Sequence, residues 1–207
     1  MVLSWFFLHK TNGFYVDIGA YDPKNISNTY MFYERGWRGI NIEPNCDLLQ
    51  NFHKLRPDDI NLGVGVFNVP GELIFYKFKE ASLNTFDPIV GEDRIEKLDL
   101  FIEKVPVQVK RLDTILDEYA NGREIDLLNI DVEGFDMEVL QSNNWDKYKP
   151  LIICVEDYII DIDRYIEESE KHKFLKKIGY KLVSKVVDSL IYSRVHSKSL
   201  EDIKPRN

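Results

Sequence analysis

Five short runs of apolar, largely β-branched residues punctuate the chain, at Phe14 to Ile18, Gly39 to Glu43, Ile60 to Val66, Ile125 to Ile130 and Leu151 to Val155. Their apolar positions are nearly continuous rather than alternating. A strand with one wet face alternates, so continuous runs of this length indicate strands covered on both faces, the condition of a parallel sheet. Segments of helical pattern separate them. "SNTYMFYERG" opens with the capping types Ser27 and Asn28 and stops at Gly36, and "CDLLQNFHKL" sets Leu48, Leu49 and Phe52 on one helical face before Pro57. Strand and helix in this order, joined by right-handed crossovers, make an open α/β sheet.

The rest of the chain extends the pattern. "GELIFYKFKE" alternates and predicts a half-exposed strand, in a hairpin with residues near Val66. "VPVQVKRLDTILDEYA" gives a strand and then a helix ending at Asn121 and Gly122, and "GFDMEVLQS" is a further helix. The tail carries one charged helix, "IEESEKHKFLKKIGY", ending at Gly179, then "KLVSKVV" and "LIYSRV" as an antiparallel pair about an Asp188–Ser189 connection. No Pro-, Gly- or Ser-rich linker divides the 207 residues, and 44% hydrophobic content suffices for one core. Residues 1–12 are expected as an N-terminal extension to a domain spanning 13–207. The opening "MVLSWFFLHK" is too short to span a bilayer and has neither a basic start nor a cleavage site, so Phe6 and Phe7, like Trp37, are expected in the core. A net charge of −8 argues against a surface for phosphate backbones. Cys46 and Cys154 have no paired-ligand spacing, which fits a reducing cytoplasm and suggests neither disulfide nor zinc. His9, His53, His172 and His196 are scattered without a nucleophile partner, so histidine chemistry is not expected.

Ligands of open α/β sheets sit beyond the carboxyl ends of the strands. Asp17, Gly19, Glu43 and Asp131 all fall at such ends. The loop "FYVDIGAYDP" has the single glycine Gly19, whereas a pyrophosphate turn needs several so that backbone N–H groups can close on phosphate. Glu43, closing the second strand, is placed as the acid that accepts from ribose hydroxyls. A ribose without phosphates, next to a cation that Asp17 attracts, describes S-adenosylmethionine better than a nicotinamide dinucleotide. Asp22 and Pro23 either shape this loop or face an acceptor.

"LLNIDVEGFDMEVL" repeats the design, with Asp131 and Glu133 in a turn and Gly134 leading into a helix. Two residues apart, Asp131 and Glu133 share a side if strand geometry continues. "LIICVEDY" brings Glu156 and Asp157 to the next strand end, so four carboxylates are expected to crowd one rim. Mutual repulsion raises the pKa of at least one, which makes a carboxylate a usable base near neutral pH. Mg²⁺ held by the same acids is the alternative. Acids favoured at helix N-termini are the plain reading of Glu133 and Asp157.

Taken together and in order, "GFYVDIGAYDP", "SNTYMFYERGWRGINIEPN", "RPDDINLGVGV", "SLNTF", "RLDTIL", "IDLLNIDVEGFDMEVL" and "YKPLIICVE" resemble the FkbM family of S-adenosylmethionine-dependent methyltransferases. The resemblance implies a class I methyltransferase (Rossmann-like) α/β fold, a three-layer α/β/α arrangement around a seven-stranded, mostly parallel sheet whose last strand is antiparallel. It implies O-methylation of a hydroxyl, commonly of a sugar in a glycan. By the matching positions Asp17, Gly19 and Ala20 line the methionine end of the cofactor, Asn28 and Thr29 stand at the following helix start, and Glu43 holds the ribose. Asp131 and Glu133 lie beside the transferred methyl and Glu156 supports that pocket; these three are the candidate catalytic acids. The expected cofactor is S-adenosyl-L-methionine, with no metal. The expected partner is a glycan or small-molecule acceptor with a free hydroxyl; nucleic acid and stable membrane insertion are not expected, and a homodimer stays open.

The sequence departs from the family pattern at three points. "MVLSWFFLHKTN" lacks the usual Ser-Gln-x-Gly-Glu-Asp segment, so part of the substrate lid is expected to be absent or supplied by a partner. Asn129 stands where a lysine is usual, and "VVDSLIYSRV" replaces a "GLNxxYV" turn. A nicotinamide-dependent oxidoreductase is the same-fold rival, and a non-catalytic cofactor-binding or scaffold subunit of a glycan-assembly complex is the rival of another class. Acceptor specificity is expected from loops such as Glu80 to Glu103.

Overall fold

The computed structural model describes residues 2–159 and 161–194; Val195, the end of the last predicted strand, and His196 lie outside the described residues. Two sheets organise the chain. In chain order the elements are β1 (Phe14–Ile18), α1 (Tyr30–Glu34), β2 (Arg38–Ile42), α2 (Cys46–Leu55), β3 (Ile60–Leu62), β4 (Gly65–Val66), β5 (Gly71–Phe78), α3 (Pro88–Lys97), β6 (Phe101–Lys110), α4 (Leu112–Tyr119), β7 (Leu127–Ile130), α5 (Asp136–Gln141), β8 (Ile152–Glu156), α6 (Ile162–Glu168), α7 (Glu170–Lys177), β9 (Tyr180–Val186) and β10 (Ser189–Arg194). The main sheet has seven strands in the order β3-β2-β1-β7-β8-β10-β9, and β10 runs antiparallel to both its neighbours. Strand order reverses between β1 and β7, which opens a crevice at their carboxyl ends.

Continuous burial follows from helices on both faces. Consecutive residues of β1 point to opposite sides: Val16 joins Leu112, Ile115, Leu128 and Val139 in one cluster, while Tyr15 joins Phe32, Trp37, Leu127 and Ile152 in the other. The second cluster includes Leu3 and Phe7 of a 3₁₀ turn, Val2–Phe7, with Phe7 edge-on to Trp37 at 4.9 Å. The N-terminal segment is therefore packed, as its composition suggested. No helix among the described residues is long and apolar enough to cross a membrane.

Several details correct the sequence reading. The predicted strand from Ile60 to Val66 breaks at Gly63 and Val64, sending β3 to the main sheet and β4 to a three-stranded sheet of order β4-β6-β5. β5 does not form a hairpin with the residues near Val66, because the longer β6 lies between them and pairs with both. Ser27 and Asn28 are not the helix cap: Thr29 is, and the Ser27 hydroxyl reaches forward to accept from the Tyr30 amide at 3.1 Å. The tail helix is two helices. Ser169 breaks it, its side chain accepting from His172 N at 3.2 Å to cap α7 and donating to Asp157 at 2.7 Å. The last turn is Val187–Asp188, one residue earlier than expected, with Val187 at φ +56°.

Candidate functional site

The crevice holds a cavity of about 290 Å³ lined from β1, β2, β7 and the loops that follow them. Gly19 shows why this loop has its composition. At φ +77° it takes a left-handed turn, and a Cβ there would lie 1.7 Å from the Asp131 carbonyl oxygen. The first loop and the Asp131 turn thus touch backbone to backbone. The amides of Gly19 and Ala20 both donate to Ile42 O, at 3.0 and 3.1 Å, so neither is free to bind an anion.

Asp17 is buried at the end of β1 and accepts from Thr29 Oγ1 at 2.5 Å and from Asn129 Nδ2 at 2.8 Å. Burial raises its pKa, and those two hydrogen bonds together with the Arg56 charge oppose the rise. Asn129 also accepts from Asn28 at 3.1 Å, so this neutral residue joins two polar groups of the cavity wall. Glu43 uses one carboxylate oxygen for Tyr21 N at 2.9 Å and the other for Asn45 N at 2.8 Å. Desolvation dominates those contacts and pushes Glu43 up to about 7. Asp22 accepts from the Lys24 and Asn25 amides at 2.8 and 2.6 Å, and Pro23 O accepts from Arg56, so both residues shape the loop.

At the second turn the strand geometry does not continue, because Glu133 has φ +53°. Asp131 and Glu133 line the cavity even so. Burial, then repulsion from Glu156, Glu133, Asp136 and Asp17, pushes Asp131 up to about 8. Glu133 accepts from Tyr158 Oη at 3.2 Å. Glu156 ends β8 behind the cavity rather than lining it, and burial with Asp188, Asp136 and Glu133 raises its pKa. Asp157 leaves the expected cluster. Its oxygens are taken by Ser169 and the Ile159 amide, and the buried Asp136 takes the fourth place, paired with Lys171 at 3.0 Å. Among the described residues no three carboxylate, imidazole or thiol groups converge on a metal position.

Of the sequence-predicted residues, Asp17, Gly19, Ala20, Asn28, Glu43, Asp131 and Glu133 line the cavity. Thr29 is fully buried and reaches it through Asp17 and Ser27, to both of which it is hydrogen-bonded. The apolar wall was not foreseen: Phe67 meets Phe135 at 5.4 Å between ring centres and Phe75 meets Phe86 at 4.6 Å, with Val64 and Leu48 beside them. Ser82, Asn84 and Thr85 line the same space, while the rest of the stretch from Glu80 to Glu103 that was expected as a loop is mostly α3 and the start of β6. Arg56 was missed as well. Following α2 and preceding Pro57, it has the signal of an ordinary helix C-terminal cation, yet it is fully buried.

Sheet order, an inserted antiparallel strand and a crevice walled by strand-end acids define a Rossmann-like fold of the class I methyltransferase type. The family described as the methyltransferase FkbM domain matches residues 17–182, and the chain belongs to that family. It is 30% identical over 100 residues to Methyltransferase 1 of Beauveria bassiana (strain ARSEF 2860), a match covering 46% of this chain and 39% of that protein. The crystal structure of methyltransferase FkbM from Methylobacillus flagellatus KT superposes with a TM-score of 0.55 at 15% identity, over 91% of this chain and 47% of that one. The match thus spans less than half the length of either relative.

Proposed function

We propose that the protein is an S-adenosylmethionine-dependent O-methyltransferase that methylates a sugar hydroxyl of a glycan or glycoconjugate. The observation that carries the reading is the cavity wall, where Asp17, Glu43, Asp131 and Glu133 stand with no lysine, arginine or histidine among the described residues that line it. Such a wall attracts a cation and repels phosphates. With the Gly19 and Ala20 amides already bonded to Ile42 O, the loop has no free N–H at those positions for a pyrophosphate, which disfavours the nicotinamide reading.

The cofactor, when bound, supplies a methyl group made electrophilic by positively charged sulfur. Glu43 would accept from ribose hydroxyls, and the apolar wall of Phe67, Phe86 and Val64 would exclude water. An alcohol is a weak nucleophile until its proton is taken. Asp131 would receive the acceptor's hydroxyl proton as that oxygen takes up the methyl group. Repulsion and burial, which push it up to about 8, make it a stronger base than an ordinary carboxylate. A positive charge in the pocket would draw that value down, so Asp131 would be ionised more readily beside a bound cation. The acid rim also favours a neutral or cationic acceptor over an anionic one. We place this chemistry in a reducing cytoplasm, where Cys46 and Cys154 stay free thiols.

Titration with S-adenosylhomocysteine, followed by methyl transfer to a panel of sugars, lipids and small hydroxylated compounds, tests the proposal. Absence of binding ends the methyltransferase reading. Binding without transfer to any acceptor indicates a cofactor-binding subunit, and full turnover in both Asp131→Asn and Glu133→Gln removes the carboxylate base.

A further inference from the structure

Arg56 is fully buried, and the four hydrogen bonds that hold it end on uncharged oxygens. Nε donates to Pro23 O at 2.6 Å, one terminal nitrogen to Thr29 Oγ1 at 2.8 Å and Asn41 Oδ1 at 3.1 Å, and the other to Ser27 Oγ at 2.7 Å. The guanidinium lies 5.4 Å from the ring centres of Phe52 and Tyr30 and 5.8 Å from that of Tyr33. A charge so deep is costly unless its surroundings are built for it.

Three of the four acceptors belong to residues 23–29, the stretch that follows the Gly19 turn. Within the wider loop, Tyr21, Ile26, Ser27 and Asn28 all line the cavity. Tyr21 and Ile26 have φ of +53° and +55°, a region that a β-branched side chain rarely enters. Ile26 is 92% exposed, so its own packing does not hold that turn. The restraint comes from beneath, where a planar fork reaches Pro23, Ser27 and Thr29 at once. Thr29 accepts from Arg56 and donates to Asp17, which extends the hold to the acid of the first strand.

We infer that Arg56 is a positioning residue for the pocket: it pins the loop 21–29 against the sheet and, through Thr29, orients the Asp17 carboxylate that faces the ligand. The inference that this pinning serves cofactor affinity rests on the function proposed above; the pinning itself does not. A lysine in its place keeps the charge but has no planar fork to span the same acceptors.

The test compares wild type with Arg56→Lys, and with Thr29→Val as a second variant that removes the hydroxyl joining Arg56 to Asp17 while Arg56 keeps its bonds to Pro23, Ser27 and Asn41. Hydrogen exchange without ligand reads the loop. In Arg56→Lys the amides of residues 21–29 are expected to exchange about tenfold faster or more while β1, β2 and β7 keep their protection. Titration with S-adenosylhomocysteine is expected to show roughly tenfold weaker binding, the scale of one lost charge-assisted hydrogen bond. In a transfer assay the cofactor KM rises accordingly, whereas kcat at saturating cofactor changes much less, a split that general destabilisation does not produce. Unchanged loop exchange overturns the inference, and so does a loosened loop with undiminished binding. If Arg56→Lys loses protection throughout the sheet, Thr29→Val decides: weaker binding by a folded protein supports the inference and unchanged binding overturns it. If wild type itself fails to bind while the variant loop loosens, the cofactor reading falls and the pinning stands.

Discussion

Replacing Gly19 with alanine separates two costs that usually arrive together. Gly36 supplies the control, because at φ +92° it also has a left-handed backbone but a Cβ there meets nothing within 4 Å. Gly36→Ala should therefore cost only the left-handed penalty of about 1–2 kcal/mol. Gly19 bears that penalty and a collision, since its Cβ would stand 1.7 Å from the Asp131 carbonyl oxygen and 2.8 Å from the carbonyl carbon. Backbone cannot rotate away as a side chain can. Relief requires parting the turn that follows β7 from β1, where Asp131 N donates to Ile18 O at 3.0 Å. Inserting a methyl into a filled space costs typically about 1–3 kcal/mol, so Gly19→Ala should lose about 2–5 kcal/mol in all. With a urea slope of about 2 kcal/mol/M, its unfolding midpoint falls by about 1–2.5 M, against about 0.5–1 M for Gly36→Ala. Cofactor binding should be lost in the first variant and kept in the second. Equal midpoints would refute the reasoning, because they would mean that the contact between the two loops imposes no constraint.

Further expectations follow from the acids and the core. In a transfer assay kcat/KM for the cofactor, which reports the unliganded enzyme, should rise with pH through about 8, the value to which Asp131 is pushed, and Glu133→Gln should move that rise to lower pH by removing one repelling charge; a rise of that parameter centred near the ordinary carboxylate value contradicts the assignment. A carboxyl whose folded pKa exceeds its unfolded value contributes stability below the unfolded value and loses it as pH rises through the folded one. Relative to wild type, Asp131→Asn should therefore gain stability between pH 5 and pH 8.5, by at least about 1.4 kcal/mol, the worth of one pKa unit, in urea melts at the two pH values. Lys171→Met strands the buried Asp136 and should cost about 3–5 kcal/mol in the same assay, where a loss under 1 kcal/mol would show that the pair is dispensable. Phe7→Ala should cost about 3–5 kcal/mol, and Trp5→Ala, at a side chain 63% exposed, less than about 0.5 kcal/mol.

What the sequence revealed and what it hid have the same physical root. Strands β1, β2, β7 and β8 were legible because burial on both faces leaves continuous apolar runs, and the acids at their ends were legible because strand ends are where an open sheet binds ligand. Pairing over distance was not. β6 follows β5 by more than a helix, and nothing local in "GELIFYKFKE" names a partner that arrives only after α3. Ser169 sits in a charged stretch that satisfies helical periodicity, so its second use as cap and donor to Asp157 left no mark. Arg56 is the clearest case. A cation at a helix end is favourable on the surface, and only the three-dimensional meeting of Pro23, Ser27, Thr29 and Asn41 turns it inward. The acid cluster likewise exchanged Asp157 for Asp136, because the Ser169 hydroxyl and the Ile159 amide, which no local pattern announces, occupy both oxygens of Asp157.

Calorimetric titration of the protein with S-adenosylhomocysteine, alongside Glu43→Ala and Asp17→Asn, tests the proposal that the acid-walled cavity at the β1–β7 switch is an S-adenosylmethionine pocket. Wild type should bind at one site per chain, each variant roughly tenfold or more weakly, and NAD should fail to bind. No binding by wild type, or binding that both variants leave intact, would contradict the proposal.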